Sequence, residues 1–235
     1  MSVTVVQGDI LSVSADAAVL GLEMTMGLAQ GPAGERLAEA GGEGLREARR
    51  AVRFLPVGSA AAVSPGAAPF RHVILTVTPR WLTGKANELL ALRRCYQSVF
   101  DRAEALGCRL VVTPFLSALY YRFPREEAVH IALGEAEGRS LDTVFVAETS
   151  ELYRQSQVPY RRPQIVAYVG YYRDHALFQL DNGLFARVDL RPEARDVAVI
   201  PYFEACYRAG NNPLQPPLPE AEQARLRRIY ETFVW

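Results

Sequence analysis

Apolar positions along this chain fall into short β-branched runs separated by longer stretches of helical rhythm. Residues 3–6 form the first run, which stops at Gly8-Asp9. Asp16 precedes Ala17-Ala18-Val19-Leu20, an all-apolar strand candidate. From Pro32 to Val52 the pattern is helical, with Leu37, Ala40, Leu45 and Ala48 near one face. Gly41-Gly42 divides that stretch into two helical pieces. Residues 59–64 and 72–77 are predicted strands, parted by a turn at Pro65-Gly66. Leu89, Leu92, Tyr96, Val99, Ala103 and Leu106 recur at helical spacing, and Gly107 supplies a stop. A strand over 109–114, a helix over 125–137 and a strand over 143–147 follow. Strands alternating with helices predict an α/β fold whose sheet is largely parallel or mixed.

The pattern changes near Ser150. Ser156, Pro159 and Pro163 punctuate a polar connector. Beyond it, 164–172, 176–180 and 184–190 are predicted strands, the last two flanking Asp181-Asn182-Gly183. Asn-Gly marks a tight hairpin because the primed turn needs positive φ at both central positions. Residues 197–201 offer one more strand. Pro219 opens a final helix with Glu220 and Glu222 in its first turn, docked by Leu226, Ile229 and Phe233. The expected organisation is an α/β domain over 1–153 and a small C-terminal α+β region over 164–235, with a β-hairpin and a last helix. That region could hold a protein partner or a second copy of the chain, for example by edge-strand addition.

Composition adds mainly exclusions. With 235 residues, 49% of them hydrophobic, the chain can bury a substantial core. Its 26 basic and 26 acidic residues cancel, so no duplex nucleic acid is expected as a partner. Cys95, Cys108 and Cys206 are odd in number and far apart, which suits neither a zinc site nor a disulfide framework. His72, His130 and His175 lie on different elements, so no metal and no cofactor are expected. Met1-Ser2-Val3-Thr4 has no basic leader character, and no apolar run is long enough to cross a bilayer. A cytoplasmic protein without a membrane partner is the expectation. Met24 and Met26 are expected to fill gaps under a loop. Ser117 lacks a nucleophile-elbow pattern and reads as a loop hydrogen-bonder.

In order along the chain, several motifs resemble those of a macro domain, the α/β module that binds ADP-ribose. Val5-Val6-Gln7-Gly8-Asp9-Ile10 resembles the family's opening strand and Gly-Asp-Ile turn. Asp16-Ala17-Ala18-Val19 resembles its second strand. Pro56-Val57-Gly58, Ser64-Pro65-Gly66, Phe70-Arg71-His72-Val73-Ile74 and Pro79-Arg80-Trp81 resemble its middle block. Residues 117–124 stand where the family has a phosphate loop, Ser-Thr-Gly-x-Tyr-Gly-Phe-Pro. Ser117, Tyr121, Phe123 and Pro124 match that frame, while Leu119 and Arg122 replace its glycines. The resemblance spans residues 3–153 and implies a three-layer α/β/α fold with a mixed sheet.

The resemblance also implies roles. Asp9 would accept a hydrogen bond from the adenine amino group, with Ile10 lining the adenine slot. Gly31 and Gly34 belong to a first phosphate loop, and Ser117, Leu119, Tyr121, Arg122 and Phe123 to a second. The family's ribose-positioning asparagine is Glu23 here. The aspartate of hydrolytic members is Ala33, and Pro32 has no N–H to donate. From the residues alone, Asp9 also reads as a turn cap and Arg122 as a solvated surface arginine. The expectation is a divergent, non-hydrolytic binder of ADP-ribose or a related nucleotide or phosphate ligand. One alternative is an ADP-ribosyl hydrolase using Glu23 as base. Another is a protein-interaction module on a degenerate fold of this kind.

Overall fold

The strand β2 (Ala17–Leu22) is buried at every position, which explains why its sequence is a continuous apolar run and not an alternation. It sits inside a six-stranded sheet of order β1-β6-β5-β2-β4-β3. The other strands are β1 (Val3–Gln7), β3 (Ala60–Val63), β4 (His72–Val77), β5 (Leu110–Pro114) and β6 (Asp142–Ala147). All neighbours pair in parallel except β3, which runs antiparallel to β4. The mixed α/β sheet expected from the sequence is therefore present. These coordinates are a computed structural model, described here over residues 1–24, 26, 29–81, 88–119, 123–159, 161–191, 197–200 and 217–232.

Helices cover both faces. Leu37 and Leu45 of α1 (Gly31–Ala51) share a core cluster with Ala18, Leu20, Leu22, Val73, Leu75, Val112 and Val146. Phe145 alternates with Val144 and Val146 and so faces the other way. There it meets Tyr96 of α2 (Glu88–Ala105), with ring centroids 6.0 Å apart, and stacks on Phe115 at 4.9 Å. α2 packs in turn on α3 (Arg125–Ala136). Cys95 is fully buried there, its Sγ 3.3 Å from Val77 O. α1 kinks at Gly42, where φ is 60°, so the two helical pieces expected from Gly41-Gly42 are real.

The polar connector expected from Ser150 begins instead as a helix, α4 (Ser150–Ser156). The Thr149 hydroxyl accepts from Leu152 N–H at 3.1 Å, a side-chain cap that a reading for Pro and Ser alone overlooks. This helix belongs to the first of two compact units, and the described residues from Arg161 on belong to the second. Met24 is another difference: it is 55% exposed and fills no gap, whereas Met26 packs on the core.

The second unit is an antiparallel sheet of order β10-β9-β8-β7. Its strands are β7 (Ile165–Tyr172), β8 (His175–Leu180), β9 (Phe185–Asp189) and β10 (Val197–Ile200). Asn182-Gly183 turns β8 into β9, as expected. The last helix, α5 (Glu220–Thr232), buries Leu226 and Tyr230. Tyr230 OH donates to Pro163 O at 2.8 Å. Asp189 is fully buried and accepts two hydrogen bonds from the Arg191 guanidinium, at 3.0 and 2.6 Å. Pro201, Cys206 and Phe233 lie outside the described residues. Among the described residues no helix is long and apolar enough to cross a membrane.

The Pro65-Gly66 turn docks on α1 beside its kink, with Ala67 N–H donating to Gly41 O at 3.1 Å. A Cβ on Gly66 would stand 2.1 Å from Gly41 O, and φ there is 63°. Gly66→Ala is expected to destabilise the first unit by about 1–3 kcal/mol, read as a lowered denaturant midpoint with an unchanged slope.

Candidate functional site

Every parallel strand ends its run at the same edge of the sheet, so the loops after β1, β2, β4, β5 and β6 gather there. The chain leaves β2 for β3 and β4 on one side, then returns across β2 to β5. This reversal between β2 and β5 is the switch point where open α/β sheets form a ligand crevice.

Gln30, 6% exposed, fastens three of those strand ends. Its N–H donates to Gly21 O at the end of β2, at 2.8 Å. Its Oε1 accepts from the Thr78 hydroxyl after β4 at 2.9 Å and from Ser117 N–H after β5 at 3.3 Å. The backbone N–H can only donate, which fixes the amide orientation with Oε1 toward Ser117. Nε2 then has no partner among the described residues. The amide fits because Gly21 has no side chain: a Cβ there would meet Leu116 at 2.9 Å and Gln30 Oε1 at 3.4 Å.

The β5–α3 loop has a second anchor. Tyr96 OH, fully buried, accepts from Leu116 N–H at 2.7 Å. Ser117 takes φ of 64°, is 2% exposed, and donates its hydroxyl to Pro79 O at 3.2 Å. It is thus the loop hydrogen-bonder expected from the sequence. Phe123 is 5% exposed and meets Trp81 edge-on at 5.3 Å. Leu119 is half-buried, and Tyr120, Tyr121 and Arg122 lie outside the described residues.

Two carboxylates flank the start of α1. Asp9 caps the 3₁₀ turn Ile10–Ser12 by accepting from Leu11 N–H at 3.0 Å, the turn-cap reading of the sequence. Its other oxygen accepts from Arg36 at 2.9 and 3.2 Å. The Leu11 N–H and then the Arg36 guanidinium hold this carboxyl below its ordinary range. Glu148, the first residue past β6, accepts from Ala33 N–H at 2.7 Å. Burial pushes its pKa up, only partly offset by that hydrogen bond. Gly31 and Gly34 are buried in the opening turn of the helix. Ile10 is fully buried in the core cluster, and the backbone carbonyl of half-buried Glu23 accepts from Met26 N–H at 2.7 Å.

The structure thus brings Asp9, Gly31, Gly34 and Ser117 to one edge, with Ile10 beneath. Sequence reading missed Gln30, Arg36, Thr78, Tyr96 and Glu148. The position of Glu148 just beyond a parallel strand was a usable signal; the Gln30 fastening, made between residues far apart in sequence, left none. It also missed Glu127, 3% exposed in the first turn of α3 with Oε1 unpartnered. Burial raises its pKa to about 7. Among the described residues no His, Cys, Asp and Glu cluster could hold a metal ion.

A family model described as Macro domain matches residues 23–132. O-acetyl-ADP-ribose deacetylase 1 of Pantoea vagans is 36% identical over 164 residues, 64% of this chain and 95% of that protein. A macro domain-containing protein of Mesorhizobium japonicum is 32% identical, covering 66% and 93%. Among solved structures, the Oceanobacillus iheyensis macrodomain with ADP aligns with a TM-score of 0.60 at 24% identity, over 65% of this chain and 86% of that one. The Trypanosoma brucei macrodomain in complex with ADP aligns at 0.57 and 24%, over 66% and 67%. These structures share the fold.

Two outcomes follow from the buried polar groups. Tyr96→Phe leaves Leu116 N–H without its acceptor and should cost about 1–3 kcal/mol by denaturant titration. Glu127 binds its proton more tightly folded than unfolded. Stability should therefore fall as pH rises from its ordinary 4.5 to about 7, by on the order of 2–3 kcal/mol. Glu127→Gln should remove that slope in urea midpoints measured across the same range.

Proposed function

The chain belongs to the macro-domain family, and on that footing we propose that it binds ADP-ribose or a closely related nucleotide diphosphate without hydrolysing it. The observation that carries this reading is the meeting of the Asp9 turn, the α1 N-terminus and the Ser117 loop at one switch-point edge. Asp9 is ionised and fixed by Leu11 and Arg36, and so has lone pairs oriented to accept from an adenine amino group. The opening turn of α1 presents the positive end of a helix dipole to a diphosphate. Arg122 and Tyr121, outside the described residues, complete the proposed second phosphate loop.

Ala33 stands where hydrolytic relatives are expected to hold an aspartate, which supports binding without turnover. A second reading is deacetylation of O-acetyl-ADP-ribose, favoured by the name of the 36%-identical relative. Its base would be Glu23 or Glu148, both at the same edge.

Calorimetry with ADP-ribose at about pH 6 tests the first reading, and an ester-cleavage assay on O-acetyl-ADP-ribose tests the second. Saturable binding without product is the expected result. Asp9→Ala should weaken it about tenfold or more, the worth of one charge-assisted hydrogen bond. Arg36→Ala removes the partner of Asp9 but keeps its carboxylate, and should stay within a few-fold of wild type. A folded protein that gives no heat with ADP-ribose ends the binding reading; steady acetate release ends the claim of no turnover.

A further inference from the structure

A helix N-terminus draws anions because its first N–H groups lack intrahelical partners. In this chain Pro32 has no N–H, and the Ala33 N–H is already engaged by a carboxylate of the protein itself, Glu148, at 2.7 Å. Glu148 reaches it from the end of β6, 115 residues further along the chain. We propose that Glu148 is an internal anion gate: it holds the α1 N–H that an anionic ligand needs, so that ligand binding requires Glu148 to become neutral or to withdraw. This rests on the nucleotide-diphosphate reading of the site and names the regulation of that site.

The electrostatics fix the sign of the coupling. Two like charges about 4 Å apart repel by roughly 1–4 kcal/mol, depending on local dielectric. Glu148 is largely shielded from water, and burial already raises its pKa. A bound diphosphate would raise it further, so binding takes up a proton. Affinity is then flat at low pH, where Glu148 is neutral. It falls as pH rises through the window between the Glu148 pKa without ligand and the higher pKa with ligand.

The neighbours of Glu148 do not produce this window. Gln7 pairs with Ala147, so the loop holding Asp9 leaves the sheet beside Glu148. Asp9 is held ionised by Leu11 N–H and Arg36. Tyr96 on α2 senses the Glu148 charge, but its phenol is driven far up by burial and stays neutral. Glu35 on α1 is exposed and pushes the Glu148 pKa up; Glu35→Gln serves as its control.

The test uses the full chain, wild type and Glu148→Gln, titrated with ADP-ribose between about pH 5 and about pH 8.5 by calorimetry. Glutamine keeps an oxygen for Ala33 N–H but no charge. Wild-type affinity should fall by up to about tenfold per pH unit inside the window, the limit for one coupled proton. The variant should hold the wild type's low-pH affinity throughout. Equal pH dependence in both proteins, or weaker binding by the variant at high pH, overturns the gate. Sulfate, which keeps its charge across this range, separates the two claims. Its binding is followed at the Ala33 amide by NMR, which also reports folding. Sulfate engaging Ala33 with the Glu148-dependent pH profile, in protein that ignores ADP-ribose, sustains the gate and ends the nucleotide reading. ADP-ribose bound with no pH dependence sustains that reading and ends the gate. Neither anion reaching Ala33 in folded Glu148→Gln ends both.

Discussion

The Gln30 amide oxygen, accepting from both Ser117 N–H and the Thr78 hydroxyl under near-complete burial, sets the spacing of the strand-end edge at the switch point of the sheet. Of the parallel strands that deliver loops to that edge, three are joined by hydrogen bonds from one side chain and its backbone. Because the group is out of water, each bond is costly to leave unmade, and the loops are held in one arrangement. Gly21 makes room for the amide, and Tyr96 fixes the same β5–α3 loop from the opposite face through Leu116. The core therefore reaches this edge through polar contacts as well as apolar packing.

Charge at this edge is arranged in opposition. A helix start that favours anions faces two carboxylates of the protein. One, Asp9, is satisfied by Leu11 and Arg36 and stays ionised. The other, Glu148, is half-starved of solvent and holds a backbone N–H in compensation. The proposed gate would therefore sort anions by how much negative charge they bring to the α1 turn, whether or not they have an adenine.

Much of the fold was legible in the sequence. The continuous run Ala17-Ala18-Val19-Leu20 announced a strand buried on both faces, and the spacing of Leu89, Leu92, Tyr96 and Val99 announced α2. Gly41-Gly42 gave the kink, and Asn182-Gly183 the hairpin. These signals are local, set by periodicity and by backbone preference. The site was less legible. Asp9 and Ser117 stood out as candidates because they sit in ordered motifs. Gln30, Glu148 and Tyr96 act through partners 20 to 115 residues away, and no local pattern encodes such a pairing. α4 escaped because its Thr149 cap was outweighed by the Ser and Pro residues that follow.

The break at Gly42 has a consequence for how this protein can change over time. Peptide dipoles add only while they stay aligned, and their influence on a charge fades within about one turn of the helix end. The segment past the kink therefore contributes almost nothing to the field felt at Gly31. Its surface, including the Glu43–Arg46–Arg50 ion pairs, is open to evolutionary drift, provided the contact with the Pro65-Gly66 turn survives.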